Sequence, residues 1–499
     1  MSNTEHEVVI AGGGPAGMML ATELALANVD VAIVEKRPDH NLVGSRAGGF
    51  HSRTIEMLDQ RGAADRFLAE GQTAQAAMFG TTLLDMSDFP TRHPYALGIF
   101  QNKIEKVMAN WVAELPVKVY YSHEVTGFTQ DDAHVEVELA GDARLRARYL
   151  VGCDGGRSLI RKQAGIDFPG WDPSKSSLIA EVETTEEPPA GIRHDAIGVH
   201  GLHRMEDGKT FRVVTAEREI GPDTEPTIDD LSAALTDAFG TDFGIHNPTW
   251  VSRFTDMTRQ AATYREGRVL LAGDAAHIHY PAGGQGIGLG VQDAFNLGWK
   301  LAQVLNGTSP DALLDTYHAE RHPVTARTLR HTMAMTALQR GDERSVALVE
   351  AVSELAKMDE ARRYLAGIVS GLDIRYDFGD GHPLLGRRMP DLDLNTQDGG
   401  RRVFEFLRAG RPLLLTLNRR QPTDITPWSD RVQLIEAAYE TGVIELPVIG
   451  TVSAPGAVLV RPDGYVAWVD EAAAGDADPG GAGLTDALTT WFGPPTRTP

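Results

Sequence analysis

The 499-residue sequence predicts an α/β protein made of a doubly wound unit assembled from separated segments, a second lobe built on an antiparallel sheet inserted into it, and a third unit at the C-terminal end. Three observations predict this. An apolar run, Val8-Val9-Ile10, enters a glycine-rich turn and leaves it as Met18-Met19-Leu20-Ala21, the pattern of a strand turning into a helix. Two later apolar runs, Tyr149 to Cys153 and Arg268 to Ala272, each end at a turn of glycine and aspartate, and the stretch between them contains alternating runs such as Phe211 to Ala216. After Tyr376 the composition shifts to Gly, Pro and Asp before strands recur.

The first turn reads Gly12-Gly13-Gly14-Pro15-Ala16-Gly17. Between a strand and a helix this is a dinucleotide fingerprint, and Gly12, Gly14, Pro15, Ala16 and Gly17 are its candidate binding residues. Gly12 permits the tight turn, Gly14 lets the backbone approach a pyrophosphate on the helix N-terminus, and Gly17 lets that helix pack on the strand. The next strand, Val31 to Val34, ends in Glu35, whose carboxylate can accept hydrogen bonds from both ribose hydroxyls of an adenosine. An acid there disfavours a 2′-phosphate.

Asp154-Gly155-Gly156-Arg157-Ser158 follows the first later strand, and Gly273-Asp274-Ala275-Ala276-His277 follows the second. Either alone reads equally well as a strand exit with turn-forming residues. All three together, in this order, resemble the group A flavoprotein aromatic hydroxylases, the para-hydroxybenzoate hydroxylase family, over most of the chain. The resemblance implies a Rossmann-like domain that binds FAD. It places Asp274 on the ribityl chain, Asp154 through Arg161 near the pyrophosphate and the nicotinamide nucleotide, and Arg46 close to the cofactor phosphates. It places Gln101 near the flavin and Glu35 and Lys36 at the adenosine ribose, and it adds Val125 to the cofactor set. Within the family the likeness is greatest to bacterial hydroxylases that tailor aromatic polyketides, particularly angucyclines. Arg53-Thr54-Ile55-Glu56, Trp250-Val251-Ser252, the Gly273 to Gly286 loop, Tyr317 to His322 and His382 to Gly386 carry it.

Length and composition set limits. A chain of 499 residues exceeds what one hydrophobic core usually organises. Its one cysteine, Cys153, excludes an intrachain disulfide and reads as a small buried strand residue. A net charge of −22 argues against nucleic acid or an anionic membrane as partner. The polar start, Met1 to Glu7, runs straight into the first strand, and no apolar run reaches the roughly 18 residues of a spanning helix, so a cytoplasmic protein is expected.

Because the three motifs must meet on one FAD, its domain is expected from residues 1–72, 101–169 and 265–375. The substrate-binding domain is expected from 73–100 and 170–264. Helical periodicity over Gln292–Leu301, Leu313–Glu320 and Val324–Gln339 closes the cofactor domain. Beyond, strands at Leu413–Leu417 and Ala457–Val460, then the turn Arg461-Pro462-Asp463-Gly464 and Tyr465 to Trp468, resemble the thioredoxin-like C-terminal domain of part of the family, here 390–499. No Cys-x-x-Cys is present, so a structural or assembly role is expected for it.

The chemistry is expected in Pro281-Ala282-Gly283-Gly284-Gln285-Gly286-Ile287. Unpaired amides of Gly284, Gln285, Gly286 and Ile287 at a helix N-terminus would stabilise the anionic N1–C2=O edge of reduced flavin. The resemblance implies reduction of the bound FAD by transiently bound NADPH, formation of a C4a-hydroperoxide with O2, and hydroxylation of a polycyclic aromatic substrate. Arg46, Pro281 and His279 are the catalytic candidates. His279 and His277 could each serve as the base that makes a phenolate, or simply pack. Met78, Phe79 and Phe211 are candidate pocket linings or ordinary core. No metal is expected, since no acid or second histidine is read at ligand spacing on a helix. Baeyer–Villiger oxidation, inactivation of an antibiotic and cofactor binding without turnover stay open, as do NADH in place of NADPH and a homodimer. A flavin halogenase is disfavoured because W-x-W-x-I-P is absent.

Overall fold

The computed structural model describes residues 4–417, 424–470 and 481–496, so the polar start at Met1–Asn3 lies outside them. The first segment lays down β1 (Thr4–Ala11), α1 (Pro15–Leu26), β2 (Val31–Glu35), α2 (Ser52–Gln60), α3 (Gln101–Ala113) and β3 (Val117–Tyr121). A meander follows: β4 (Val125–Gln130), β5 (Val135–Leu139) and β6 (Arg144–Gly152), then the short α4 (Leu159–Gln163). β1 pairs in parallel with both β2 and β6, and β2 with β3. β2 is buried along its whole length, as a parallel strand covered on both faces must be.

The chain then leaves for an antiparallel sheet of β7 (Ser176–Glu183), β8 (Gly191–His194), β9 (Val199–Arg204) and β10 (Thr210–Ala216), with α5 (Ile228–Phe239) across it and β11 (His246–Thr255) at its edge. The order is β8-β9-β10-β7-β11. Period 2 divides its residues. Leu178, Ala180, Val182, Phe211 and Val213 pack on Leu231, Ala234 and Leu235 of α5. Arg212, Trp250, Ser252 and Phe254 turn the other way, toward the first unit. Phe211, a candidate pocket lining, is therefore core beneath α5, and its neighbour Arg212 takes the inward face.

The chain returns as β12 (Arg265–Glu266) and β13 (Val269–Leu271), completing the main sheet in the order β12-β13-β6-β1-β2-β3. α6 (Gly286–Leu305), α7 (Asp315–Leu338) and α8 (Asp359–Ser370) follow. The two helical stretches expected at Leu313–Glu320 and Val324–Gln339 are one helix, running through Pro323. Buried neighbours on either side, Glu320, Arg321, Val324 and Thr325, hold it where the proline removes a rung of the ladder. That helix also carries His318 and His322 one turn apart, their rings 4.6 Å from centroid to centroid. Histidines at this spacing were not expected; among the described residues no third ligand joins them.

The C-terminal sheet comprises β14 (Asp393–Thr396), β15 (Gly399–Arg402), β16 (Leu413–Leu417), β17 (Gln433–Ala438), β18 (Ala457–Val460) and β19 (Val466–Val469), closed by α9 (Gly481–Phe492). Its order is β15-β14-β17-β16-β18-β19, with β16 and β17 parallel and the other pairs antiparallel. No helix among the described residues is long and apolar enough to cross a membrane.

Candidate active site

Strand register brings the three motifs together. Ala11 pairs with Gly152, and Gly152 with Leu271, so β1, β6 and β13 end side by side and their three loops leave the sheet at one edge. That edge, beyond the carboxyl ends of parallel strands, is where such sheets bind ligands. Contact there demands small residues. A Cβ on Gly12, whose φ is 108°, would lie 2.4 Å from the Cys153 carbonyl oxygen, and one on Gly17 would lie 2.1 Å from that of Gly12. Gly290 of α6 meets Ala16 and Gly273 at 3.2 Å from its own built Cβ, which draws the N-terminal turns of α1 and α6 together. Arg161 welds the second motif to the third: its guanidinium donates to the carbonyls of Ala275 (2.7 Å) and Gly156 (3.0 Å) and lies 3.6 Å over the Phe168 ring. Cys153 sits one residue past β6, and burial pushes its thiol far above the usual range, so it stays protonated.

The expected cofactor residues spread along this edge. Gly14 caps α1 without a side chain, Pro15 opens the helix, and a Cβ on Gly14 would meet nothing within 4 Å, so no side chain caps the first-turn amides. Glu35 accepts from the amides of Gly13 (2.8 Å) and Arg37 (2.9 Å). Burial pushes its carboxyl up, but the hydrogen bonds from Arg37 and Gly13 prevail and hold it below the usual range. Lys36 is exposed; Arg37, which the motifs did not single out, bridges Glu35 and Glu105 at 3.1 and 2.7 Å. Gln101 accepts from the Ala47 amide and its own amide donates to Ser45, so it fixes the loop that carries Arg46. Arg46 donates to Ser252 on β11 at 2.6 Å, and burial lowers its pKa against the opposing pull of Asp274. Val125 opens β4 half-buried. Both carboxylate oxygens of Asp154 serve α4, one accepting from Ser158 and the other from the amides of Leu159 and Ile160.

The glycine loop lies beyond. Pro281 is exposed, and Gly283 and Gly284 are both left-handed, with φ of 75° and 67°. Gln285 is buried, its Nε2 donating to the carbonyls of Ile368 and Val369 at the end of α8, which anchors the loop from behind. Phe79 packs behind it with Ala282 and Met335, whereas Met78 is exposed. α6 starts at Gly286 with no side-chain cap, leaving its first amides open. The three nearby histidines differ. His277 Nε2 bonds Asp293 at 2.7 Å, and Asp293 also accepts from the Gly273 amide and Arg321, all buried, so His277 is locked into the fold beneath the third motif. His279 donates from Nδ1 to the Tyr280 carbonyl (2.7 Å), which leaves Nε2 a bare acceptor beside Gly286. Burial lowers its pKa, keeping it neutral. His51, missed in the sequence, bonds the Gly283 carbonyl through Nε2 at 2.5 Å.

Residues 5–332 match the FAD binding domain family, and residues 382–495 match the C-terminal domain of aromatic-ring hydroxylases. The chain belongs to the FAD-dependent aromatic-ring hydroxylases. The hydroxylase is 44% identical, over 98% of its length and 99% of the relative's, to 12-dehydrotetracycline 5-monooxygenase/anhydrotetracycline 6-monooxygenase of Streptomyces rimosus. It is 41% identical to rifampicin monooxygenase of Streptomyces venezuelae, over 93% of its own chain and 96% of that one. The crystal structure of CabE, an aromatic hydroxylase from angucycline biosynthesis, superposes with a TM-score of 0.89 at 39% identity, covering 99% of this chain and all of that one. The hydroxylase's donor set fits FAD: two helix N-termini without side-chain caps for its anionic portions, a buried acid for a ribose, and a cation and an acid, Arg46 and Asp274, near enough that the aspartate acts on the arginine's charge.

Proposed function

We propose that the hydroxylase uses NADPH and O2 to place one oxygen atom on an electron-rich ring of a polycyclic aromatic polyketide of the angucycline kind. The observation that carries this reading is the set of contacts where the motif edge meets the inward face of the antiparallel sheet. Arg46 donates to Ser252 from one to the other, and the rings of Phe254 and Tyr280 lie 5.7 Å apart beside the glycine loop. Arg212 stands 5.0 Å over Phe100, next to Gln101, its buried Nη1 ion-paired with Glu181 at 3.7 Å and without a hydrogen bond. An aromatic, oxygen-bearing ligand suits such walls.

Bound FAD, reduced by NADPH, supplies the oxygen-activating chemistry. The chain's own residues hold and shield it. The open amides of Gln285, Gly286 and Ile287 stabilise negative charge, Arg46 balances phosphate, and Asp274 receives the ribityl hydroxyls. Pro281 shapes the loop, and His279, neutral with a bare Nε2, is placed to take a phenolic proton. Asp154 acts through α4, positioning the second motif where NADPH docks transiently. Residues 1–72, 101–169 and 265–375 form the FAD domain in this proposal, 73–100 and 170–264 the substrate domain, and 390–499 the C-terminal domain.

The deciding experiment gives purified enzyme an angucyclinone, NADPH and oxygen-18. A product heavier by one labelled oxygen is expected. NADPH oxidation yielding only hydrogen peroxide would reject this substrate class. The 41% identity to a rifampicin monooxygenase favours a second reading, in which the ligand is a finished antibiotic; oxygenation of rifampicin with no angucyclinone turnover would select it.

A further inference from the structure

We propose that His51 is a positioning residue for the flavin, pinning the peptide that presents the Gln285–Ile287 amides. The Gly283–Gly284 peptide is held at both polar ends. Its carbonyl oxygen meets His51 Nε2 at 2.5 Å, and its N–H donates to the Pro281 carbonyl at 3.0 Å. A carbonyl only accepts, so Nε2 carries the proton. Burial lowers the His51 pKa, which keeps the ring neutral and leaves Nδ1 a buried acceptor without a partner.

The pinning matters because the pinned peptide leads directly into the first turn of α6. Gly283 and Gly284 are left-handed, and Gln285 returns to the right-handed region with φ −87° and ψ −16°. Left-handed followed by right-handed residues turns successive N–H groups toward one point, a geometry that favours an anion. With the Gly283–Gly284 peptide engaged inside the protein, the amides from Gln285 onward are the first of the loop that can serve a ligand. One other contact braces the same turn, the Gln285 side chain on the α8 carbonyls. Among the described residues, His51 is the side chain that grips the loop by its backbone from the α2 side, at the N-cap of that helix. Without it, the Gly284 N–H bond to the Pro281 carbonyl is left to hold that peptide by one end.

The inference requires the FAD of the family and no particular substrate. Its test uses FAD-loaded wild type, His51→Phe, which keeps a ring but no donor, and His51→Gln, whose amide can donate to the same carbonyl. The readouts are flavin content, the dissociation constant of the flavin–sulfite adduct, and the two-electron midpoint potential by dye equilibration. His51→Phe is expected to keep FAD, weaken sulfite about tenfold and lower the potential by about 30 mV, the equivalent of a tenfold change for two electrons. His51→Gln should return both to within about twofold. Unchanged sulfite affinity and potential in His51→Phe would overturn the proposal. So would a shift that His51→Gln shares in full. If His51→Phe loses its FAD, retention by His51→Gln supports the donor role, and loss in both overturns it.

Discussion

At the cofactor edge the chain segments meet because side chains are missing. Gly12, Gly17, Gly273 and Gly290 bring strand ends and two helices within contact distance, and the groups offered there are backbone amides. At the seam between α6, α7 and the C-terminal unit, charge does the joining. Arg461 forks onto Glu320 at 2.7 and 2.8 Å and onto Asp463 at 2.5 Å, while Lys300 meets Glu320 at 3.0 Å, all inside the core. Trp299, Phe378 and Trp491 surround the Arg461 guanidinium at 4.5 to 5.1 Å. The first region leaves the helix N-termini without side-chain caps, while in the second the charged groups pair with one another. Substitution should therefore cost affinity at the edge and stability at the seam.

Glu320→Gln should show the largest effect. It leaves Arg461 and Lys300 buried with one carboxylate between them, and loss of one partner from a buried ion cluster costs about 3–5 kcal/mol. Urea unfolding of the FAD-free proteins measures it. Replacing the cluster as a whole, Lys300→Met with Glu320→Leu, Arg461→Met and Asp463→Asn, should recover much of the loss, because apolar and neutral residues escape the desolvation penalty of the charges. A quadruple variant as unstable as Glu320→Gln would show that the charges themselves hold the seam.

The pH dependence of the seam has two windows, one acid and one alkaline, and stability rises with pH through both. Burial pushes the Glu320 carboxyl up, but Arg461 and Lys300 outweigh it and hold the group at about 2. An unfolded glutamate titrates near ~4.3, so the stabilisation is complete above that pH and is lost as the pH falls toward 2. Burial lowers Lys300 to about 8 despite Glu320. An unfolded lysine titrates near ~10.4, so from 8 to there the unfolded chain binds more protons and stability rises with pH. Thermal unfolding from pH 2 to 10 tests both; Glu320→Gln should flatten the acid limb and Lys300→Met the alkaline one.

Much of the edge was legible in the sequence, and the seam was not. Gly12 to Gly17, Asp154 and Gly273-Asp274 encode backbone turns, and a turn is a local property that neighbouring residues reveal. The register Ala11–Gly152–Leu271 then comes from parallel pairing. Arg461-Pro462-Asp463-Gly464 reads only as a turn because its partners, Glu320 and Lys300, lie more than a hundred residues away. Phe211 and Arg212 could not be assigned to faces without knowing which side α5 covers. His51 lies just before Arg53-Thr54-Ile55-Glu56 but outside that stretch; its meaning appears only when Gly283 folds back onto α2.

Next in size is Asp274→Ala, set against Arg161→Met. Loss of one hydrogen bond involving a charged group costs about 1.5–3 kcal/mol. For Asp274→Ala this should appear as a roughly tenfold to hundredfold weaker FAD affinity, with FAD-free stability within about 0.5 kcal/mol of wild type. For Arg161→Met it should appear in stability as well, since that side chain joins two motif loops with or without cofactor. Equal stability losses in the two variants would erase the contrast between ligand-facing and self-satisfied polar groups.

The smallest expected effect tests the edge most finely. The family resemblance points to Lys36 at the adenosine ribose, but Lys36 is exposed and Arg37 is the residue that orients Glu35. Arg37→Ala removes the bridge between Glu35 and Glu105 while keeping the backbone amide that Glu35 accepts from, so FAD binding should weaken severalfold and no more. Lys36→Ala removes a solvated cation, and both stability and FAD affinity should stay within about 0.5 kcal/mol of wild type. A larger loss in Lys36→Ala than in Arg37→Ala would mean that a charge reaching out over the adenosine counts for more than the orientation of the acid beneath it.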